Sequence, residues 1–421
     1  MGGASSAGIF ANGLLQLFAI VVLGTLAFTR PARLIPAART LVIGGAAFAA
    51  WLLVQCIPLP PAIWSHLPGR ATVVDGLALS GIAPGWEPMS LAPDATIAAL
   101  LALLPPAAMA GLTLGATDNA RRIVIGTLIA VSIGAALLGI VQFLGGTDSP
   151  FQPYSVTNPG QAVGPFANRN HLATLLLCAL PFLGRLIERR RLRHGGAALV
   201  GFAVLAGGVV LTGSDAGLAL LAVVLSVIGL RVARRHGLSR ANRNRLTIAL
   251  LLVGTIAAGV AGRMASFDES AGGADQRRNV TVPRTLAAAI DHLPVGAGGG
   301  SFTTIYPTYT NPALASPAFV NHAHSDYAEL LLDHGVVGMV LIVAAWLWWL
   351  RRARSGSGEA ALIALAIMLL HSLVDYPLRT AAIATIAAFA AALASGQPPG
   401  DPSTAGRRRA SRELSETFDL G

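Results

Sequence analysis

Apolar runs close to the ~20 residues that a helix needs to cross a bilayer recur along the whole chain, and they constrain its fold more tightly than any other feature. They lie near 8–28, 38–57, 94–114, 123–145, 170–187, 196–213, 216–232, 246–264, 336–350, 359–375 and 380–395, and the run at 336–350 extends back into an amphipathic stretch. The expected fold is an all-α polytopic membrane protein with about eleven transmembrane helices. Charge agrees: 12% of residues are charged, where a soluble domain carries about 25%. Residues 1–395 read as the transmembrane domain. Residues 396–421, rich in Pro, Ser and charge, read as a disordered cytoplasmic tail.

All 30 basic residues are arginine. That excludes a lysine Schiff base, a P-loop lysine and a lysine general base. The two cysteines, Cys56 and Cys178, sit in or beside apolar runs and support neither a disulfide framework nor a thiolate metal site. The net charge of +10 is an orientation signal in so apolar a chain, with anionic membrane lipid rather than nucleic acid as its partner. If alternate connections are cytoplasmic, they hold 23 of the 30 arginines. The other side holds only Arg70, Arg169, Arg263, Arg277, Arg278, Arg284 and Arg379. The N-terminus is therefore expected outside and the C-terminus inside.

The expected cytoplasmic loops are short and contain nothing catalytic. The outer side holds the long loops 58–93, 146–168 and about 265–330, with most of the histidines and tyrosines. Chemistry is expected there. ATP is not expected on that side, so a group transfer is expected to draw on a donor already activated and carried by a lipid.

The segment with most chemical content runs from Asn321-His322-Ala323-His324-Ser325-Asp326-Tyr327 into an apolar helix through Glu329, Asp333, Gly335 and Gly338. Ser325 suits the N-cap and Asp326 the first turn, which puts His324 at a helix mouth. The bland reading is a capping turn with interfacial histidines. A zinc site on His322 and His324 lacks a placed third ligand. Gly296-Ala297-Gly298-Gly299-Gly300 has no following lysine and no strand–helix context, so it reads as a tight turn whose N–H groups face an anion. His171 reads as structural, and Asp375 is expected to pair with Arg379 rather than to orient a histidine.

His324-Ser325, nine residues, Gly335, two residues, Gly338 resembles the histidine motif of the O-antigen ligase and polymerase superfamily. Other segments are similar in the same order. They are Asn168-Arg169-Asn170 at a helix start, Arg278 followed by Thr285, Pro294, Gly296, Gly298 and Phe302, the Ile57–Pro61 stretch with Trp64, and Asp375-Tyr376-Pro377-Leu378-Arg379-Thr380. The resemblance implies a bacterial inner-membrane enzyme with a large periplasmic loop. Such an enzyme moves a glycan from undecaprenyl diphosphate to a hydroxyl on lipid A core, a growing glycan or another acceptor, with inversion and without metal or other cofactor.

It further implies His324 as the group that assists the acceptor hydroxyl, and Arg278, Arg284 and Arg169 as candidate diphosphate ligands, with Arg277 a weaker one. Ser325, Asp326, Gly335, Gly338 and Asp215 would support them. Arginine suits a diphosphate because its planar fork binds two oxygens at once. One departure stands out: where the family often has Ser-Arg-Gly, this chain reads Ser214-Asp215-Ala216-Gly217, an acid in place of the arginine. The alternatives are a polysaccharide polymerase of the same superfamily, a polytopic transporter or flippase, and an inactive scaffold. Few ionisable groups inside the runs (His371 is one) weigh against transport.

Overall fold

The computed structural model describes residues 3–5, 10–28, 34–189, 195–235, 278–310, 320–355 and 358–396, with isolated positions 239 and 242. Apart from a two-residue antiparallel pairing of Pro58–Leu59 with Glu87–Pro88, its regular elements are helices. Ten of the eleven expected spans coincide with helices, and the eleventh, 246–264, lies outside the described residues. Among the described residues, five helices are long and apolar enough to cross a membrane: Phe10–Phe28, Pro36–Gln55, Pro93–Gly115, Asp118–Leu144 and Asp326–Arg354. The protein is thus a polytopic membrane protein.

Burial sorts the helices into a core and a lipid-facing shell. The Arg169–Arg189 helix is apolar on nearly every side between Leu172 and Gly184 and is buried from Asn170 through Gly184, as a helix surrounded by others must be. Asp118–Leu144, Gly195–Leu211, Asp215–Arg235 and Glu359–His371 pack around it. Small residues permit close approach: a Cβ on Gly217 would sit 2.8 Å from the Ala173 Cβ, and one on Gly208 3.0 Å from the Ala136 Cβ. By contrast Phe10–Phe28 buries only Ala19, leaving Leu17, Phe18 and Val21 exposed as lipid-facing groups.

Two devices position the site. Gln142, at the end of its helix, donates to the carbonyls of Phe151 and Gly164 and accepts from the amides of Val163 and Gly164, which pins the 146–168 connection. The second is a break in the Asp326–Arg354 helix at Gly335, where φ is 55° and ψ −131°. A break frees backbone groups that need partners. The glycine-rich loop supplies them. Ala297 N–H donates to Leu332 O (2.8 Å), Gly298 N–H to Asp333 O (3.0 Å), and Val336 N–H to Pro294 O (2.9 Å). A Cβ on Gly335 would lie 2.2 Å from Pro294 O, and one on Gly338 2.1 Å from Leu330 O, so the spacing of these two glycines is a packing requirement of the kink.

Candidate active site at the histidine turn

Ser325 caps the Asp326–Arg354 helix as its sequence position requires, its Oγ accepting from Ala328 N–H. The residue before it, His324, has φ 55° and is the one non-glycine residue with positive φ among those described. Such a conformation costs free energy and persists where surrounding contacts impose it, often at functional sites. The surrounding contacts are visible. Asp326 N–H donates to Asp375 O (3.0 Å), and the His324 Nδ1 lies 3.4 Å from the fully buried Asp375 Oδ1.

Asp375 lies in the connection past the end of the Glu359–His371 helix. Burial alone would raise its pKa, but its interaction with His324 and the nearby His171 and His371 rings outweigh burial and hold the carboxyl well below the usual carboxylate range. The Tyr376 ring packs among three histidines, its centroid 5.1 Å from that of His324, 4.3 Å from His322 and 5.0 Å from His171. Asn168 Nδ2 donates to the Tyr376 hydroxyl at 3.3 Å. The Asn168-Arg169-Asn170 helix start and the histidine turn therefore meet on one tyrosine. His171 is buried and lies edge-on to that ring.

Below the turn is a buried charge network. Asp326, Glu329 and Asp333 recur at helical spacing and face Arg379. The guanidinium reaches Asp333 Oδ2 at 3.1 Å, Glu329 Oε2 at 3.5 Å and Asp326 Oδ1 at 3.6 Å. Burial would pull the Arg379 pKa down, but the three carboxylates raise it instead, so the group stays cationic. The expected Asp375–Arg379 pairing is therefore corrected: Asp375 faces His324, and Arg379 is drawn to the acidic helix face. The tight-turn reading of residues 296–300 holds, with φ positive at Gly296, Gly298 and Gly300. The anion beside it belongs to the chain itself, because Asp333 Oδ1 accepts from Ser301 N–H and Oγ, each at 3.2 Å.

The two histidines face different carboxylates: His322 Nδ1 lies 3.1 Å from both Glu329 oxygens, whereas His324 Nδ1 faces Asp375. Among the described residues no group of three His, Cys, Asp or Glu side chains is arranged to hold a metal ion.

Of the expected arginines, Arg169 is half-buried, and a Cβ on Gly213 would lie 3.5 Å from its Nη1. Its guanidinium thus reaches the turn that Asp215 follows, where the expected arginine is missing. Arg284 lies half-buried on the Arg278–Asp291 helix, which packs against Asp326–Arg354. Arg278 begins that helix; its side chain, and Arg277 as a whole, lie outside the described residues.

Residues 200–343 match the family model described as O-antigen ligase. This stretch is an O-antigen ligase family domain. The family's activity is glycosyl transfer in the membrane, of ligase or polymerase type, on lipid-linked glycans. Comparison with curated proteins finds no match. The matched stretch includes His324, Ser325, Gly335, Gly338, Asp215, Arg278 and Arg284. Arg169, Asp375, Tyr376 and Arg379 lie outside it and join the ligase-family residues through the fold.

Sequence reasoning gave no site role to Glu329, Asp333 or Arg70. The i, i+3, i+7 spacing of Asp326, Glu329 and Asp333 was a usable signal, since three acids on one face of a membrane-entering helix demand a cation. Arg70 gave none. It is 1% exposed and donates to the carbonyls of Pro68, Met89 and Gly296, tying the 58–93 connection to the glycine-rich loop, and burial lowers its pKa to about 10.

Proposed function

We propose that this protein is an inverting glycosyltransferase of the O-antigen ligase type, acting at the face where the long loops gather, which the arginine bias assigns to the periplasm. The donor is a glycan on a polyprenyl diphosphate, and the acceptor is a hydroxyl of lipid A core, a glycan or a related molecule. The carrying observation is the His324–Asp375 pair at a strained helix mouth. Asp375 faces Nδ1, which leaves Nε2 for the acceptor hydroxyl.

In the step proposed, the acceptor oxygen attacks the anomeric carbon and its proton passes to His324 Nε2. The bond from the anomeric carbon to the diphosphate oxygen breaks, and polyprenyl diphosphate leaves. Ionised Asp375 stabilises the imidazolium that forms. Arg169, Arg278 and Arg284 are the proposed diphosphate ligands, with Arg169 supplying at the 213–215 turn the charge that Asp215 does not. No metal takes part in this scheme.

A strain lacking the protein tests the reading through its lipid-linked intermediates. Accumulated full-length lipid-linked polymer is the expected result for a ligase. Accumulated single repeat units would replace it with a polymerase, and intermediates stranded on the cytoplasmic leaflet with a flippase.

A further inference from the structure

We infer that Glu329 is a positioning residue for His324, an inference that rests on the reading of His324 given above. Glu329 stands in the first turn of the Asp326–Arg354 helix and is 1% exposed. Its carboxylate turns back past the N-cap to the two residues that precede His324. Oε1 accepts from Ala323 N–H at 2.7 Å, and both oxygens lie 3.1 Å from His322 Nδ1. Behind it, Arg379 holds Oε2 at 3.5 Å.

The amide bonded by Glu329 belongs to the residue immediately before His324. At His324 the chain reverses through φ 55°, a conformation that persists only where its surroundings impose it. On the other side of the reversal, Asp326 N–H is fixed to Asp375 O. The turn is therefore gripped at both ends, by Glu329 before it and by Asp375 after it. The network of Arg379 with Asp326, Glu329 and Asp333 anchors the grip to the helix. A salt bridge serving stability alone would not need to reach the loop amide.

Release of Ala323 should let His324 relax toward negative φ and move its ring. A misplacement of about 1 Å is enough for roughly a 10²-fold rate loss. The test measures transfer from a lipid-linked donor by the full-length protein in nanodiscs, with membrane abundance as control. Glu329→Ala should lower kcat about 10- to 100-fold with little change in donor KM. Glu329→Gln, whose amide oxygen still accepts from Ala323, should recover most of the rate. Glu329→Asp, which keeps the charge but is too short to reach Ala323, should not, and it replaces Glu329→Ala if that variant does not accumulate.

In a His324→Ala background, Glu329→Ala should change residual transfer by less than about twofold, because residues acting as a unit are not additive. Wild-type rates for both Glu329→Ala and Glu329→Asp, equal losses in the Gln and Ala variants, or a full further loss in the double variant would each overturn the inference. Wild-type transfer by His324→Ala alone would instead overturn the reading of the site.

Discussion

Replacing Gly335 by alanine should remove the kink that the glycine-rich loop and the histidine helix share. Gly335 sits at φ 55°, ψ −131°, a combination open to glycine and strained by about 1–3 kcal/mol for other residues. The new methyl would lie 2.2 Å from Pro294 O and 2.7 Å from Pro294 C, and backbone atoms cannot swing aside as a flexible side chain does. Forcing them apart costs about another 1–3 kcal/mol, as overpacking does. The total of about 2–6 kcal/mol is a large share of a typical stability of about 5–15 kcal/mol.

Gly76→Ala is the matched control, since Gly76 lies inside the Ala71–Leu79 helix with nothing within 4 Å of an added Cβ. It should be neutral or stabilise by up to about 1 kcal/mol. Thermal unfolding of the purified proteins in one detergent, with membrane abundance measured in parallel, compares the two. Gly335→Ala unfolding at the same temperature as Gly76→Ala would refute the claim that this glycine is required by backbone geometry.

Arg278→Lys should lose most transfer activity at normal abundance, because lysine keeps the charge without the planar fork; full activity in Arg278→Ala would remove the residue from the site. Asp375→Asn keeps the shape but cannot stabilise an imidazolium, so transfer should fall about 10²-fold, and a wild-type rate would detach Asp375 from the chemistry. Reporter tags after Arg193, Ser239 and Ser355 should read as cytoplasmic, and tags near Ala83 and Gly272 as periplasmic. A cytoplasmic signal from the 265–330 loop would end both the orientation and the mechanism built on it.

The helices were legible because a bilayer imposes one length and one polarity on every span, so ten expected runs fall on helices among the described residues, although the run at 336–350 starts well inside the Asp326–Arg354 helix. The cap on Ser325 was legible for a local reason, since Ser followed by Asp and a helical apolar pattern is a start signal in itself. The partner choices were not. Asp375 and Arg379 are four residues apart, and adjacency made them look like a pair. Asp375 instead turns toward His324, 51 positions earlier in the chain, while Arg379 finds three acids presented together by a helix face. Likewise the glycine-rich loop looked ready for an external anion, but the kink at Gly335 brings Asp333 to it. Such pairings are decided by packing between distant segments, which periodicity does not encode.

The most direct test of the central claim is the single-turnover rate of glycan transfer by His324→Ala in nanodiscs, from a purified lipid-linked donor to a hydroxyl acceptor. General-base assistance is worth about 10²- to 10⁴-fold, and a loss in that range is expected with abundance and unfolding temperature unchanged. His322→Ala, which leaves the Ala323 N–H bond to Glu329 in place, should lose far less, and a chelator should have little effect. A wild-type rate in His324→Ala would contradict the account. Equal loss in both histidine variants together with abolition by chelation would replace it with a metal site.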